Sequence, residues 1–163
     1  MQKTLVIVKP DAVTQGYIGK ILSRFESEGV KVVGLRMLHM SKTQAKGFYH
    51  VHQDKPFFDS LTDFMSSAPA VVVVLEGPDD IISRVRTVMG ATNPKDAAEG
   101  TLRSLFATDV EKNAVHGSDS PESAATEIPY FFNALDLCRY DRVDDAGKDG
   151  QAGEGWEPLP PLK

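Results

Sequence analysis

Apolar positions along this chain follow two periods, and the switching between them lays out an α+β domain. Thr4-Leu5-Val6-Ile7-Val8 is a β-branched apolar run that predicts a buried strand. It ends in Lys9-Pro10-Asp11-Ala12, where proline forbids further ladder pairing and leaves Lys9 at the strand's mouth. From Ile18 the residues Ile18, Ile21, Leu22 and Phe25 recur at helical spacing, and Gly29 closes that helix. Val30 to Met40 predicts a second strand, with Val33, Leu35 and Met37 on one face. Ser41-Lys42-Thr43-Gln44 caps a short helix carrying Phe48 and Tyr49. After the break at Lys55-Pro56-Phe57-Phe58, residues Phe58, Leu61, Phe64 and Met65 pattern another helix.

Ala70 to Leu75 predicts the third strand. Gly77-Pro78-Asp79 then starts a helix with Ile81, Ile82, Val85, Val88 and Met89 inward, ended by Gly90. A long polar loop runs from Ala91-Thr92-Asn93-Pro94 through Gly100-Thr101-Leu102-Arg103 to a short fourth strand carrying Val115 and His116. Loops of this length inside compact domains are uncommon and usually functional. Finally, Ser120 is a good N-cap and Pro121 suits the first position of a helix whose Ala124, Ala125, Ile128, Phe131 and Phe132 face a core.

This order suits a ferredoxin-like βαββαβ sandwich of the α+β class, a four-stranded antiparallel sheet with helices on one face. A doubly wound parallel sheet is the alternative; it prefers a glycine-rich turn after the first strand, where this chain has Lys9-Pro10-Asp11. The domain is expected over residues 1–140. From 141 to 163 the chain turns to glycine, proline and acidic residues without apolar periodicity, a C-terminal extension. Trp156, Leu159 and Leu162 are its apolar anchors on a proline-stiffened segment, which lowers the entropy lost on docking.

Charge narrows the partners. The formal net charge of −5 gives no general basic footprint for nucleic acid or an anionic membrane, so a polyanionic substrate has to be met by a local cluster of Lys and Arg. The Ala70–Leu75 run is too short to span a bilayer, and no signal peptide precedes Lys9. Cys138 is the sole cysteine, which fits a reducing cytoplasm, and is read as a packing residue near a helix end. Gly16-Tyr17-Ile18-Gly19-Lys20 is too short for a phosphate-binding P-loop and lacks the following Ser or Thr. His50 and His52 are read as solvated, since no third ligand with metal spacing lies nearby.

The chemistry concentrates in Asn113-Ala114-Val115-His116-Gly117-Ser118-Asp119-Ser120. His116 stands in a polar, glycine-flanked setting just before a strongly capped helix, and Glu127 on that helix can reach back to its ring. Imidazole titrates near pH 6.5, so at neutral pH much of it is an unprotonated nucleophile. A carboxylate on one ring nitrogen fixes the tautomer and leaves the other free to attack.

Taken with Lys9-Pro10-Asp11-Ala12, Lys55-Pro56-Phe57-Phe58, Gly90-Ala91-Thr92-Asn93-Pro94 and Gly100-Thr101-Leu102-Arg103, in that order, this segment resembles the nucleoside diphosphate kinases over residues 1 to about 140. The resemblance implies a ferredoxin-like sheet. It also implies transfer of the γ-phosphoryl group from a nucleoside triphosphate to a nucleoside diphosphate, by a ping-pong route through a phosphohistidine on His116. It marks Lys9, Arg86, Thr92 and Arg103 as phosphate ligands, Tyr49 as close to the transferred group, and Phe57 as the ring against which the base stacks. Asn113 with Lys9 would meet the ribose hydroxyls, and Ser118 and Glu127 would support the histidine. Mg2+ would come on the β- and γ-phosphates, since no carboxylate cluster holds a metal independently. The relatives are homo-oligomers, tetramers or hexamers, in which the loop of Pro94 often joins subunit contacts. In such an assembly the extension is expected to cross to a neighbouring subunit with Trp156 buried there, and catalysis should not need it, since family chains without it still work. Lys55 stands where many relatives have arginine, at a position that is not a phosphate ligand. A non-catalytic nucleotide-binding module on the same scaffold is the alternative function.

Overall fold

Strands β1 (Gln2–Val8), β2 (Lys31–Leu38), β3 (Ala70–Gly77) and β4 (Val115–Gly117) form one sheet in the order β2-β3-β1-β4 in the computed structural model, which describes residues 1–143. Every neighbouring pair is antiparallel, as expected of a ferredoxin-like fold. The helices are α1 (Pro10–Thr14), α2 (Ile18–Ser27), α3 (Lys42–Phe48), α4 (Phe58–Met65), α5 (Ile81–Met89), α6 (Leu102–Phe106) and α7 (Pro121–Phe131). Residues 144–163, and with them the expected Trp156 anchor, lie outside the described residues.

Helices cover both faces of the sheet, not one. On one side Val6, Val8, Val73 and Leu75 pack with Ile21 and Phe25 of α2 and Ile81, Val85 and Met89 of α5. On the other, Leu5, Ile7, Val72 and Val74 pack with Ala45 of α3, Leu61 and Met65 of α4, and Phe131 of α7. The reason is written in β1 and β3, which are apolar at successive positions rather than alternate ones. Such strands need cover on both sides.

The edge strand β2 departs from its expected single face. A bulge between Val32 and Gly34 shifts its register, so Val33 is buried while Leu35 and Met37 are 55% and 57% exposed. One extra residue reverses the alternation beyond it. Leu35 and Met37 pair with Val73 and Val71, and so lie on the α2/α5 face of the sheet. The chain after α7 runs along the bulge: Cys138 N–H donates to Val33 C=O at 2.8 Å and Tyr140 hydroxyl to Val32 C=O at 3.0 Å. Cys138 therefore serves through its backbone; its side chain is exposed, not packed. Ala125 is exposed as well, because at 100° per residue only its neighbour Ala124 reaches the core.

Candidate active site

His116 sits in β4, opposite Ile7 of β1, with buried Val115 and Gly117 on either side. Gly117 lets α5 approach closely: a Cβ there would lie 2.6 Å from Met89 Sδ, so the buried methionine would have to shift. Helix α7 begins five residues after His116. Ser120 accepts from Ser123 N–H at its N-terminus and Pro121 fills the first turn, so Glu127 returns two turns later beside the ring. Glu127 Oε2 lies 3.1 Å from His116 Nε2 and accepts the Ser118 hydroxyl at 2.6 Å. Ser118 Oγ in turn accepts Leu5 N–H at 3.3 Å, which ties the chain of contacts to the sheet. An acceptor facing Nε2 draws the proton to that nitrogen and leaves the lone pair on Nδ1. Phe48 and Tyr49 wall the imidazole, their rings meeting it edge-on at 5.3 and 5.9 Å.

Three cations converge on β4 and the segment that leads into it. Lys9 is buried at the end of β1, where its ammonium donates to Asn113 Oδ1 at 2.9 Å and to Glu111 C=O at 2.8 Å. Burial lowers its pKa to about 8, with the Asp11 carboxylate the main opposing influence. Asn113 donates onward to Thr92 C=O at 3.1 Å. Arg103, also buried, spans two carbonyls at 2.9 Å each, Gly90 and Val115, while its Nε has no hydrogen-bond partner among the described residues. Burial and then the nearby Arg86 push its pKa down to about 10, so it stays charged at neutral pH. Arg86, exposed on α5, reaches Gly117 C=O at 3.5 Å. The two arginines thus hold the residues immediately before and after His116.

The aromatic side is more open. Phe57 caps α4 with 47% of its surface exposed, its ring 5.6 Å from His52. His52 is stacked 6.5 Å from Tyr49, which touches His116. It is therefore part of the ring chain from Phe57 to His116 rather than the solvated histidine expected. Tyr49 hydroxyl is buried without a hydrogen-bond partner among the described residues, and burial, then Glu127, raises its pKa, keeping the phenol protonated. Lys9, Arg86, Arg103, Asn113, Tyr49, Ser118, Glu127 and His116 are all joined by these contacts. Thr92 joins through its backbone, with its side chain exposed, and Phe57 through the intervening rings.

Two features had a readable but unread signal. The polar loop before His116 contains α6, whose N-cap Thr101 accepts from Ser104 N–H at 3.4 Å, and this helix carries Arg103 inward. Helix α1 starts at Pro10, a residue suited to a first turn. Phe48, by contrast, carried no signal beyond its helical position.

Known proteins resemble this chain over most of its length. The family profile for nucleoside diphosphate kinase matches residues 2–137. The nucleoside diphosphate kinase of Desulfosudis oleivorans is 59% identical over 137 residues, covering 84% of this chain and 98% of that protein. That of Syntrophotalea carbinolica is 57% identical, covering 84% and 99%. Among solved structures, the Aquifex aeolicus nucleoside diphosphate kinase superposes with a TM-score of 0.82 at 47% identity, over 84% of this chain and 99% of that one. The Halobacterium salinarum nucleoside diphosphate kinase, solved in complex with CDP, gives 0.85 at 41% identity, over 89% and 96%. With a profile match and relatives of this identity spanning nearly their whole length, the chain belongs to the nucleoside diphosphate kinase family, enzymes of phosphoryl transfer between nucleotides.

Proposed function

We propose that His116 carries the phosphoryl group between nucleotides in a ping-pong cycle. The observation that carries this reading is the Glu127 contact on Nε2, which leaves Nδ1 as the attacking atom. The Nδ1 lone pair attacks the γ-phosphorus of a nucleoside triphosphate, the bond to the β-phosphate oxygen breaks, and the nucleoside diphosphate leaves. A second nucleoside diphosphate then attacks the phosphohistidine through a terminal oxygen, and the N–P bond breaks.

Lys9, Arg86 and Arg103 offer positive charge for the phosphate oxygens in an otherwise acidic chain, with Thr92 as a hydroxyl ligand beside them. Asn113 with Lys9 suits the ribose hydroxyls, and Tyr49 a position near the transferred group. Phe57 offers an exposed face to any base, since every base has a π-face. The CDP in the Halobacterium structure supports a nucleoside diphosphate as ligand here too.

Mg2+ belongs with the nucleotide. Among the described residues no group of three or more His, Cys, Asp or Glu is placed to hold a metal ion, whereas the three cations suit phosphates that a divalent ion has partly neutralised. Bound Mg2+ would draw charge off the β- and γ-oxygens during transfer.

The reading extends to assembly and place. An exposed edge strand bearing Leu35 and Met37 supports a homo-oligomer, tetramer or hexamer, since such edges are covered in stable proteins. We assign the protein to the cytoplasm, where the nucleotide pools it would serve lie; the single cysteine agrees. Among the described residues no helix is long and apolar enough to cross a membrane. The deciding experiment mixes the full chain with γ-labelled ATP. Acid-labile, base-stable label on His116, lost in His116→Ala together with GTP formation from GDP, is the expected result; label that survives the substitution refutes the assignment.

A further inference from the structure

Among the described residues Ala114 is the one non-glycine residue with a positive φ, +70°. It lies between Asn113 and Val115, two residues ahead of His116. Its turn is closed by Val115 N–H, which donates to Asn113 C=O at 2.8 Å, giving a γ-turn of the strained hand. An L-residue in this region costs free energy and persists only where its surroundings over-determine it.

Those surroundings come from the junction of β1 and α1. Asp11 Oδ2 accepts the Ala114 N–H at 3.0 Å across 103 residues of sequence, and Lys9 backbone N–H donates to Ala114 C=O at 2.9 Å. Both peptide groups around the Ala114 Cα are therefore held. Asp11 is buried, and its other oxygen, Oδ1, has no hydrogen-bond partner among the described residues. Desolvation raises its pKa against the opposing influence of Ala114 N–H, Lys9 and the backbone N–H groups of Ala12 and Asp11 itself. A buried carboxylate with an unpartnered oxygen works against folding, and such groups collect with backbone strain at functional sites.

We propose that Asp11 is a positioning residue of the phosphotransfer reaction: by clamping Ala114 in its left-handed turn it sets the Asn113 amide against Lys9 and delivers His116 to Glu127. Asn113 and His116 flank the turn on either side, so a change of φ at Ala114 swings one relative to the other. The inference rests on His116 being the nucleophile.

The test measures single-turnover labelling of His116 by γ-labelled ATP, with nucleotide dissociation constants, for Asp11→Ala and Asp11→Asn, each with and without Ala114→Gly. Asp11→Ala should slow labelling about 10- to 100-fold with a smaller change in nucleotide binding. Asp11→Asn keeps an oxygen acceptor for Ala114 N–H and should lose less. Glycine takes φ +70° without steric cost. Adding Ala114→Gly to Asp11→Ala should therefore recover about tenfold, and should gain nothing while Asp11 is present. Urea unfolding of the same four proteins separates this coupling from a rescue of stability: labelling per folded molecule should show it, and a rescue that only tracks the folded fraction would overturn the clamp. Equal losses for the Ala and Asn variants, or a loss that Ala114→Gly leaves unchanged, would overturn the clamp. Should Asp11→Ala not fold, Asp11→Ser, with too short a side chain to reach Ala114, is read in the same pair of backgrounds. Absence of label on His116 in the unaltered protein is a different result and would refute the nucleophile assignment itself.

Discussion

Glu127 holds Nε2 of His116 at 3.1 Å while the same carboxylate oxygen takes the Ser118 hydroxyl at 2.6 Å. One oxygen thus fixes both the tautomer and the tilt of the ring. Glu127→Ala should lower the rate of phosphohistidine formation by about 100-fold, because the free ring samples both tautomers and more orientations. Ser118→Ala, which leaves the carboxylate but loosens it, should cost about tenfold, in keeping with loss of one hydrogen bond to a charged group. Rapid-quench labelling reads both, and an unchanged rate in Glu127→Ala would remove the carboxylate from the mechanism.

Lys9 gives the site a pH limit. With its pKa lowered to about 8, the free enzyme loses this positive charge as pH rises through that value. A bound polyphosphate favours the charged form, so kcat/KM should fall above about pH 8 while kcat persists to higher pH. For stability the sign is opposite. Between the folded value near 8 and the ordinary value of 10.5, the unfolded chain holds the proton and the native one does not, so this residue makes the fold more stable as pH rises through that window. Below the folded value its contribution is constant and unfavourable. pH profiles of the full chain and of Lys9→Gln, which should lack both trends, check this.

Phe57 is half exposed, with the His52 ring tilted against it at 5.6 Å. Phe57→Ala should weaken binding of purine and pyrimidine nucleotides alike, by about 1–3 kcal/mol. Calorimetric titration with GDP and CDP decides it; a loss confined to one class would contradict simple stacking.

Gly90 links α5 to the polar loop that follows it. Its φ is +86° and a Cβ would lie 2.4 Å from Thr101 Oγ1, while its carbonyl accepts the Arg103 guanidinium at 2.9 Å. Gly90→Ala should destabilise the fold by about 1–3 kcal/mol or more, since strain and overlap act together. Displacement of Arg103 should lower turnover as well. Urea unfolding and steady-state assays measure the two effects; a variant as stable and active as the parent would contradict the geometry.

Leu35 and Met37 stand side by side on the exposed part of the β2 edge. If the assembly is built on this edge, Leu35→Lys with Met37→Lys should shift a light-scattering mass towards the monomer. An unchanged mass would move the interface elsewhere.

Local sequence was enough for much of the architecture. Leu5 to Val8 and Ala70 to Leu75 are apolar without interruption, and a strand is the shortest way to bury such a run; the capping residues Ser41 and Ser120 set two helix starts because a cap acts within three residues. His116 was legible because an ordered set of short motifs surrounds it, and Glu127 because a helix of known start places a given residue at a known turn. Helix α6 was hidden by its five-residue length, too brief for a periodicity to emerge.

Tertiary structure decided the rest, for reasons of distance along the chain. The bulge at Val33 depends on how β2 meets β3, and it alone turned Leu35 and Met37 outward. The clamp of Asp11 on Ala114 joins residues 103 apart, and Lys9 meets Asn113 across 104. No spacing rule reaches that far. Sequence determined which residues have the chemistry and which segments become strands and capped helices, because those preferences act within a few residues. Which carbonyls Arg103 spans, which nitrogen of His116 stays free, and how strongly burial depresses the Lys9 ammonium arise only when β1, β4, α5 and α7 pack together and exclude water.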